Sequence, residues 1–269
     1  MMDDPQIVVM TIAGFDPSAG AGILADIKTM SAFGCYGVAA VTSLTLQNTQ
    51  GVFGAHHQQK EVVRGQVAPL FDDFNIAAVK TGMLPTVDVI EEVADVIRAG
   101  TIQHVVVDPV VKSTSGFDLL DDKALDALIT RLMPLASVVT PNAVEAERIT
   151  GIRITGVETM EKAAASILAL GPRAVLIKGG DVGSEQATDL LLDSNGSVTF
   201  STERVNSRNT HGTGCTLASA LACLLARGRT LHDSIFIAKR YVYKAILSAP
   251  GLGKGHGPLN HFPLNYDVL

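Results

Sequence analysis

Val105-Val106-Val107-Asp108-Pro109 decides the architecture. Three β-branched residues in a row, with no polar alternation, read as a short strand buried on both faces. The Asp-Pro after them ends it. The same reading extends outward. Residues 7–13, 38–46 and 77–80 read as strands before it, and 137–140 and 174–177 as strands after it. Helical spacing fills the gaps over 23–33, 62–74, 87–99, 125–132, 143–150 and 160–170. Short apolar strands alternating with amphipathic helices specify parallel βαβ units. The order changes at 188–192 and 197–200, which flank Asn195-Gly196, a type I′ hairpin signal. One antiparallel edge on a mostly parallel sheet is therefore expected, with closing helices over 216–226 and 234–248. No linker, repeat or low-complexity tract appears. Residues 1–269 are read as one α/β domain: a three-layer sandwich with helices on both faces of the sheet.

Composition narrows the function. The apolar fraction is 47% and the charged fraction 18%, which supplies a large core and excludes a disordered chain. No apolar run reaches 18 residues, so no membrane helix is expected. The start, Met1-Met2-Asp3-Asp4-Pro5, is acidic and shows no signal peptide. Three cysteines, Cys35, Cys215 and Cys223, are too few and odd in number for a disulfide framework, and a reducing cytoplasm fits. Lys and Arg number 21 against 27 Asp and Glu, a net charge of −6 without a basic block. With no Trp and 5% aromatics, nucleic acid is not the expected partner.

In sheets of this kind ligands bind beyond the carboxyl ends of the strands. The polar residues there are Asp16, Gln47, Thr81, Asp108, Asn142 and Lys178. The strongest local signal is His211-Gly212-Thr213-Gly214-Cys215-Thr216-Leu217: two glycines turn the backbone just before a helix, exposing N–H groups that suit an anion. It lacks the GxxxxGK[ST] pattern of a P-loop, and no GxGxxG follows the first strand. A plain strand-to-helix turn is the alternative reading. Cys215 sits at the first helical turn, where a thiol pKa falls, so it is a candidate base. It also reads as a small buried hydrophobe, as Cys35 and Cys223 do, or as a nucleophile with His211. Asn142 and Glu145 share one face of a helix start and suit a water-mediated Mg²⁺ or a simple helix cap. Asp108 suits a metal or a loop cap. Lys178, beside Gly179-Gly180, reaches a phosphate or ends a turn in solvent. His56-His57 read as surface.

Several motifs together resemble a known family. They are Gly14-Phe15-Asp16-Pro17-Ser18-Ala19-Gly20-Ala21-Gly22, Asp26-Ile27-Lys28-Thr29, Thr45-Leu46-Gln47-Asn48-Thr49, Val79-Lys80-Thr81-Gly82-Met83, Val107-Asp108-Pro109-Val110, Thr140-Pro141-Asn142, Lys178-Gly179-Gly180, the 209–216 glycine loop and the tail from Gly253 to His261. In that order they resemble the hydroxymethylpyrimidine kinase/phosphomethylpyrimidine kinase family of thiamine biosynthesis, in the ribokinase-like superfamily. The resemblance implies ATP-dependent phosphorylation of 4-amino-5-hydroxymethyl-2-methylpyrimidine and then of its monophosphate, with Mg²⁺. It implies that Gln47 reads the pyrimidine edge and that Gly14, Ala21, Asp26, Met83 and Val110 line the substrate pocket. It makes Cys215 the base, with Gly212, Thr213 and Gly214 as the anion hole and Lys178 at the phosphates. Asn142, Thr213 and Lys239 join Lys178 around the nucleotide, and Asp108, Asn142 and Glu145 surround the metal. A homodimer is what the family suggests. Phe15 and Ala19 depart from the Ser and Gly usual there. A pyridoxal kinase on the same scaffold and a non-catalytic metabolite sensor are the alternative readings.

Overall fold

The computed structural model describes residues 6–100, 102–112, 116, 119–180, 182 and 186–264. The acidic start at 1–5, read as carrying no signal peptide, lies outside the described residues. In chain order the elements are β1 (Val8–Phe15), α1 (Gly22–Ala32), β2 (Tyr36–Asn48), β3 (Gly51–His57), α2 (Lys60–Asp73), β4 (Ile76–Thr81), α3 (Val87–Ala99), β5 (His104–Val107) and α4 (Asp122–Ala127). There follow β6 (Val138–Val139), α5 (Ala143–Thr150), α6 (Val157–Leu168), β7 (Ala174–Ile177), β8 (Gln186–Asp193), β9 (Gly196–Glu203), α7 (Thr213–Ala226) and α8 (Leu231–Leu247).

The strands form one sheet in the order β3-β2-β1-β4-β5-β6-β7-β8-β9. Strands β2, β1, β4, β5, β6 and β7 run parallel. Strand β3 is antiparallel to β2, β8 to β7, and β9 to β8. The sheet therefore has an antiparallel ribbon at both edges, where the sequence suggested one. Asn195-Gly196 marked the β8–β9 hairpin. The β2–β3 turn at Thr49-Gln50 carries no such dipeptide, and β3 (Gly-Val-Phe-Gly-Ala-His-His) is too weak in strand formers to stand out. His56 and His57 lie exposed on that edge.

Alternation along the strands builds two cores. Met10 and Ile12 of β1, Val105 and Val107 of β5, and Val175 and Ile177 of β7 face helices α2 to α6. Val9, Val106 and Leu176 face α1, α7 and α8. That is the expected three-layer arrangement. The helix expected over 125–132 instead begins earlier and ends as α4. It continues as a π-helical turn, Leu128–Leu132, and a 3-10 turn, Met133–Leu135. Pro134 has no N–H to give Thr130, so the α-helix cannot carry on through it. Among the described residues no helix is long and apolar enough to cross a membrane.

Candidate active site

The carboxyl ends of the parallel strands open into a cleft of about 880 Å³. At one end Gly14 lies near the end of β1 and Ala21 beyond it, Gln47 lies near the end of β2, and Met83 and Val110 follow β4 and β5. At the other end lie Asn142, Glu145, Lys178 and Lys239. The 212–215 loop and Asp108 also line the cleft. Of the strand-end residues, Thr81 is not on the wall. It is fully buried, and its hydroxyl is the one buried side-chain oxygen among the described residues without a partner.

Gly212 is the N-cap of α7 with φ +85°. A Cβ there would overlap the Gly20 carbonyl, so both conformation and contact demand glycine. The first amides of α7 are left unpaired by the helix itself and face the cleft with the positive end of its dipole. Thr213 N–H turns back to Thr210 O at 3.3 Å, a long bond. Gly214 is a close approach: a Cβ would sit 3.0 Å from Lys178 Nζ and 3.5 Å from Asp108 Oδ2.

The Cys215 thiol is half-buried on the cleft floor. The sequence reading expected its pKa to fall. Burial instead pushes it up to about 11, against the opposing pull of Lys80, with Asp26 and Asp108 adding to the rise. The helix terminus is outweighed because burial strips water from the thiolate and the charges of Asp26 and Asp108 oppose it. The nucleophile pairing with His211 also gives way, because the imidazole Nε2 is turned to Asp16, 2.7 Å away.

Lys178 reaches Asp108 at 2.8 Å and Glu145 at 4.0 Å. Burial works against its charge, but the two acids hold its pKa up at about 12. Burial raises Glu145 to about 7, while Lys178 pulls it down and Asp108 pushes it up. Asn142 and Glu145 form a capping box: Glu145 N–H donates to Asn142 Oδ1 at 2.8 Å and Asn142 N–H to Glu145 Oε2 at 2.7 Å. The helix-cap reading of this pair thus holds, and it leaves Glu145 facing the cleft. Among the described residues no group of three or more His, Cys, Asp or Glu could hold a metal ion. Two carboxylates, Asp108 and Glu145, do share one wall, which fits Mg²⁺: it keeps waters and takes phosphate oxygens alongside one or two carboxylates.

Asp26 is placed differently from the reading that put it on the pocket wall. It is fully buried beneath the cleft, where Lys80 Nζ meets its two oxygens at 3.0 and 2.8 Å. Thr11 and Ser219 also donate to it, at 2.6 and 2.7 Å. Its lone pairs are spent inside the core. Lys80 was missed, although a lysine inside an apolar strand is itself a signal of a buried partner. Lys239 does line the cleft, paired with Asp189 at 2.7 Å. Asp189 in turn accepts the Gly179 N–H at 3.0 Å and so anchors the turn after Lys178. Nothing local in β8 marks Asp189. Opposite, Asp16 accepts from Ser18 N–H, Ser18 Oγ and Ala21 N–H at 2.7–2.9 Å. Burial would raise its pKa, but the bonds from His211 and Ser18 hold it below the usual carboxylate value.

The family model described as phosphomethylpyrimidine kinase matches residues 16–260. The chain is 46% identical over 254 residues to a hydroxymethylpyrimidine/phosphomethylpyrimidine kinase of Streptomyces coelicolor, covering 94% of each chain. A crystal structure of a phosphomethylpyrimidine kinase from Clostridium difficile 630 matches with TM-score 0.80 and 40% identity, covering 90% of this chain and 100% of that one. A pyridoxal kinase from Staphylococcus aureus, in complex with AMP-PCP and pyridoxal, matches with TM-score 0.89 and 32% identity over 97% and 95% of the two chains.

Proposed function

Because the chain belongs to the phosphomethylpyrimidine kinase family, we propose that its cleft moves the γ-phosphoryl group of ATP to 4-amino-5-hydroxymethyl-2-methylpyrimidine, and then a second one to the monophosphate. The chain is a phosphotransferase of thiamine biosynthesis. The observation that carries the site assignment is the meeting of three elements in one cleft: the 212–215 loop at the start of α7, Lys178 beside it, and Gln47 at the far end.

Gln47 offers the aminopyrimidine one donor and one acceptor, with Gly14, Ala21, Met83 and Val110 around the ring. The substrate hydroxyl oxygen attacks the γ-phosphorus as the bond to the ADP oxygen breaks, and the hydroxyl proton passes to the Cys215 thiolate. Charge building on the transferred group is met by the amides of Gly212 to Gly214 and by Lys178, which carries its charge throughout. Asp108 and Glu145 would hold Mg²⁺, with Asn142 fixing Glu145; the ion neutralises phosphate charge when bound. Lys239, tied to Asp189, keeps the turn beyond Lys178 in shape at the nucleotide side. The enzyme works as a single domain in the cytoplasm, as a homodimer.

The resemblance to pyridoxal kinases keeps a second substrate worth measuring. ADP release is followed with the pyrimidine and with pyridoxine side by side, with and without Mg²⁺. Turnover of the pyrimidine that needs Mg²⁺, well above that of pyridoxine, is expected. Preference for pyridoxine would reassign the substrate, and no ADP release with either would overturn the kinase reading.

A further inference from the structure

At the substrate end Gln47 is tied to His211 and through it to Asp16, two side chains that the phosphoryl transfer itself does not use. His211 Nε2 lies 2.7 Å from Asp16 Oδ2 and 3.1 Å from Gln47 Nε2. On its other side the Gln47 carboxamide Oε1 lies 3.0 Å from Thr45 Oγ1, whose hydroxyl is also 2.9 Å from Phe15 O. Asp16 already collects three donors besides His211, and both its oxygens are served. It therefore acts only as an acceptor, and the proton between it and His211 sits on Nε2.

A protonated Nε2 cannot accept from Gln47. The two ends of a carboxamide are nearly isosteric, so the hydrogen-bond network decides which end faces which neighbour. With Oε1 toward His211, the imidazole N–H is shared between Asp16 and Gln47. The carboxamide NH₂ then donates to Thr45 Oγ1, and the Thr45 hydroxyl proton goes to Phe15 O. Every donor meets an acceptor. The opposite orientation sets two donors against each other at 3.1 Å. The histidine itself is seated by Gly20, where a Cβ would overlap the imidazole Cδ2.

We propose that His211, held by Asp16, is a positioning residue that locks Gln47 with its carbonyl on the His211 side and its NH₂ on the Thr45 side, and so selects rings that present a donor beside an acceptor in that sense. This rests on the reading of Gln47 as the group that meets the ring. A 4-amino group donates to Oε1 while the adjacent ring nitrogen accepts from the NH₂. A 4-oxo ring reverses both roles, with an N–H beside a carbonyl, and needs the carboxamide turned over. A free glutamine would turn at little cost; a locked one does not.

The test compares kcat/KM for the 4-amino substrate and its 4-oxo analogue, 5-hydroxymethyl-2-methylpyrimidin-4-one. Mispairing of buried polar groups predicts that the native enzyme prefers the amino ring by on the order of 10²-fold. In His211→Phe that ratio falls to about tenfold or less, with the KM for ATP unchanged. Asp16→Ala removes the acceptor of the Nε2 proton, frees His211 and Gln47 to turn, and lowers the ratio likewise; it decides the matter if His211→Phe does not fold. A purely structural role would reduce both substrates in proportion and keep the ratio, and that result in the folded variants overturns the proposal. Failure of the native enzyme to use the 4-amino substrate at all would instead overturn the reading of the substrate.

Discussion

Two lysines stand at the ends of strands in the same sheet, each beside an aspartate, and they do opposite things. Lys80 of β4 is sealed, with its side chain 0% exposed, and its partner Asp26 is saturated by Thr11 and Ser219. Lys178, after β7, keeps 14% of its side chain exposed to the cleft and shares its charge between Asp108 and Glu145. Both pKa values are raised by their acids against the effect of burial. An ion pair is thus a structural strut or a reactive group according to whether the lysine keeps a face open to the cleft. Cys215 feels both lysines.

Removing each ammonium in turn separates the two roles. Lys80→Met leaves Asp26 enclosed without its counter-charge, which costs about 3–5 kcal/mol. At roughly 2–4 °C per kcal/mol for a chain of this size, the melting temperature drops by on the order of 10 °C. Lys178→Met removes a charge from beside two acids that line the cleft but are themselves buried, Asp108 at 2% and Glu145 at 4% exposed, and Glu145, pushed up to about 7, takes up a proton that relieves part of the loss. The melting temperature of this variant should fall less than that of Lys80→Met, while kcat falls about 10²–10³-fold. Equal losses of stability in the two variants would erase the distinction.

Cys215 sharpens the comparison further. Below a pKa of about 11, the thiolate fraction grows tenfold per pH unit, so kcat should rise with pH between about 7 and 9. Cys215→Ala should lower kcat by about 10²–10⁴-fold, as expected for loss of a positioned base, and abolish that rise. A pH profile identical in the variant would assign the proton to another group.

The smallest effect concerns a third lysine, Lys28, which donates to a carbonyl, Ala19 O, at 2.9 Å. Ala19 has φ +58°, the only described non-glycine residue with positive φ. A left-handed alanine costs about 1–2 kcal/mol, and glycine gives back part of that through the freer unfolded chain. Ala19→Gly should raise stability by about 0.5 kcal/mol, read from denaturant midpoints, with the KM for the pyrimidine unchanged. A loss of stability would mean that the methyl group packs.

The parallel strands, the C-terminal hairpin and the glycine loop were legible because their signals are local. Val105-Val106-Val107 needs only its own side chains to read as a buried strand, and Asn195-Gly196 needs only its backbone preference. Strand β3 was illegible because its pairing to β2 is set by register, not by its residues. At the site, Gln47, Asp108, Asn142 and Lys178 were visible as polar residues at strand ends. Asp26 was assigned to the wall and Lys80 passed over, because their pairing spans 54 residues of chain.

The sequence by itself determined which residues end strands, where helices begin, and that a thiol follows the glycine loop, since these depend on neighbours a few residues apart. Only the tertiary structure decided what each charge faces. It turned His211 from a partner of Cys215 into a partner of Asp16 and Gln47. It also raised the Cys215 thiol where a helix start alone would lower it, because desolvation and long-range charge depend on what the fold packs around a group.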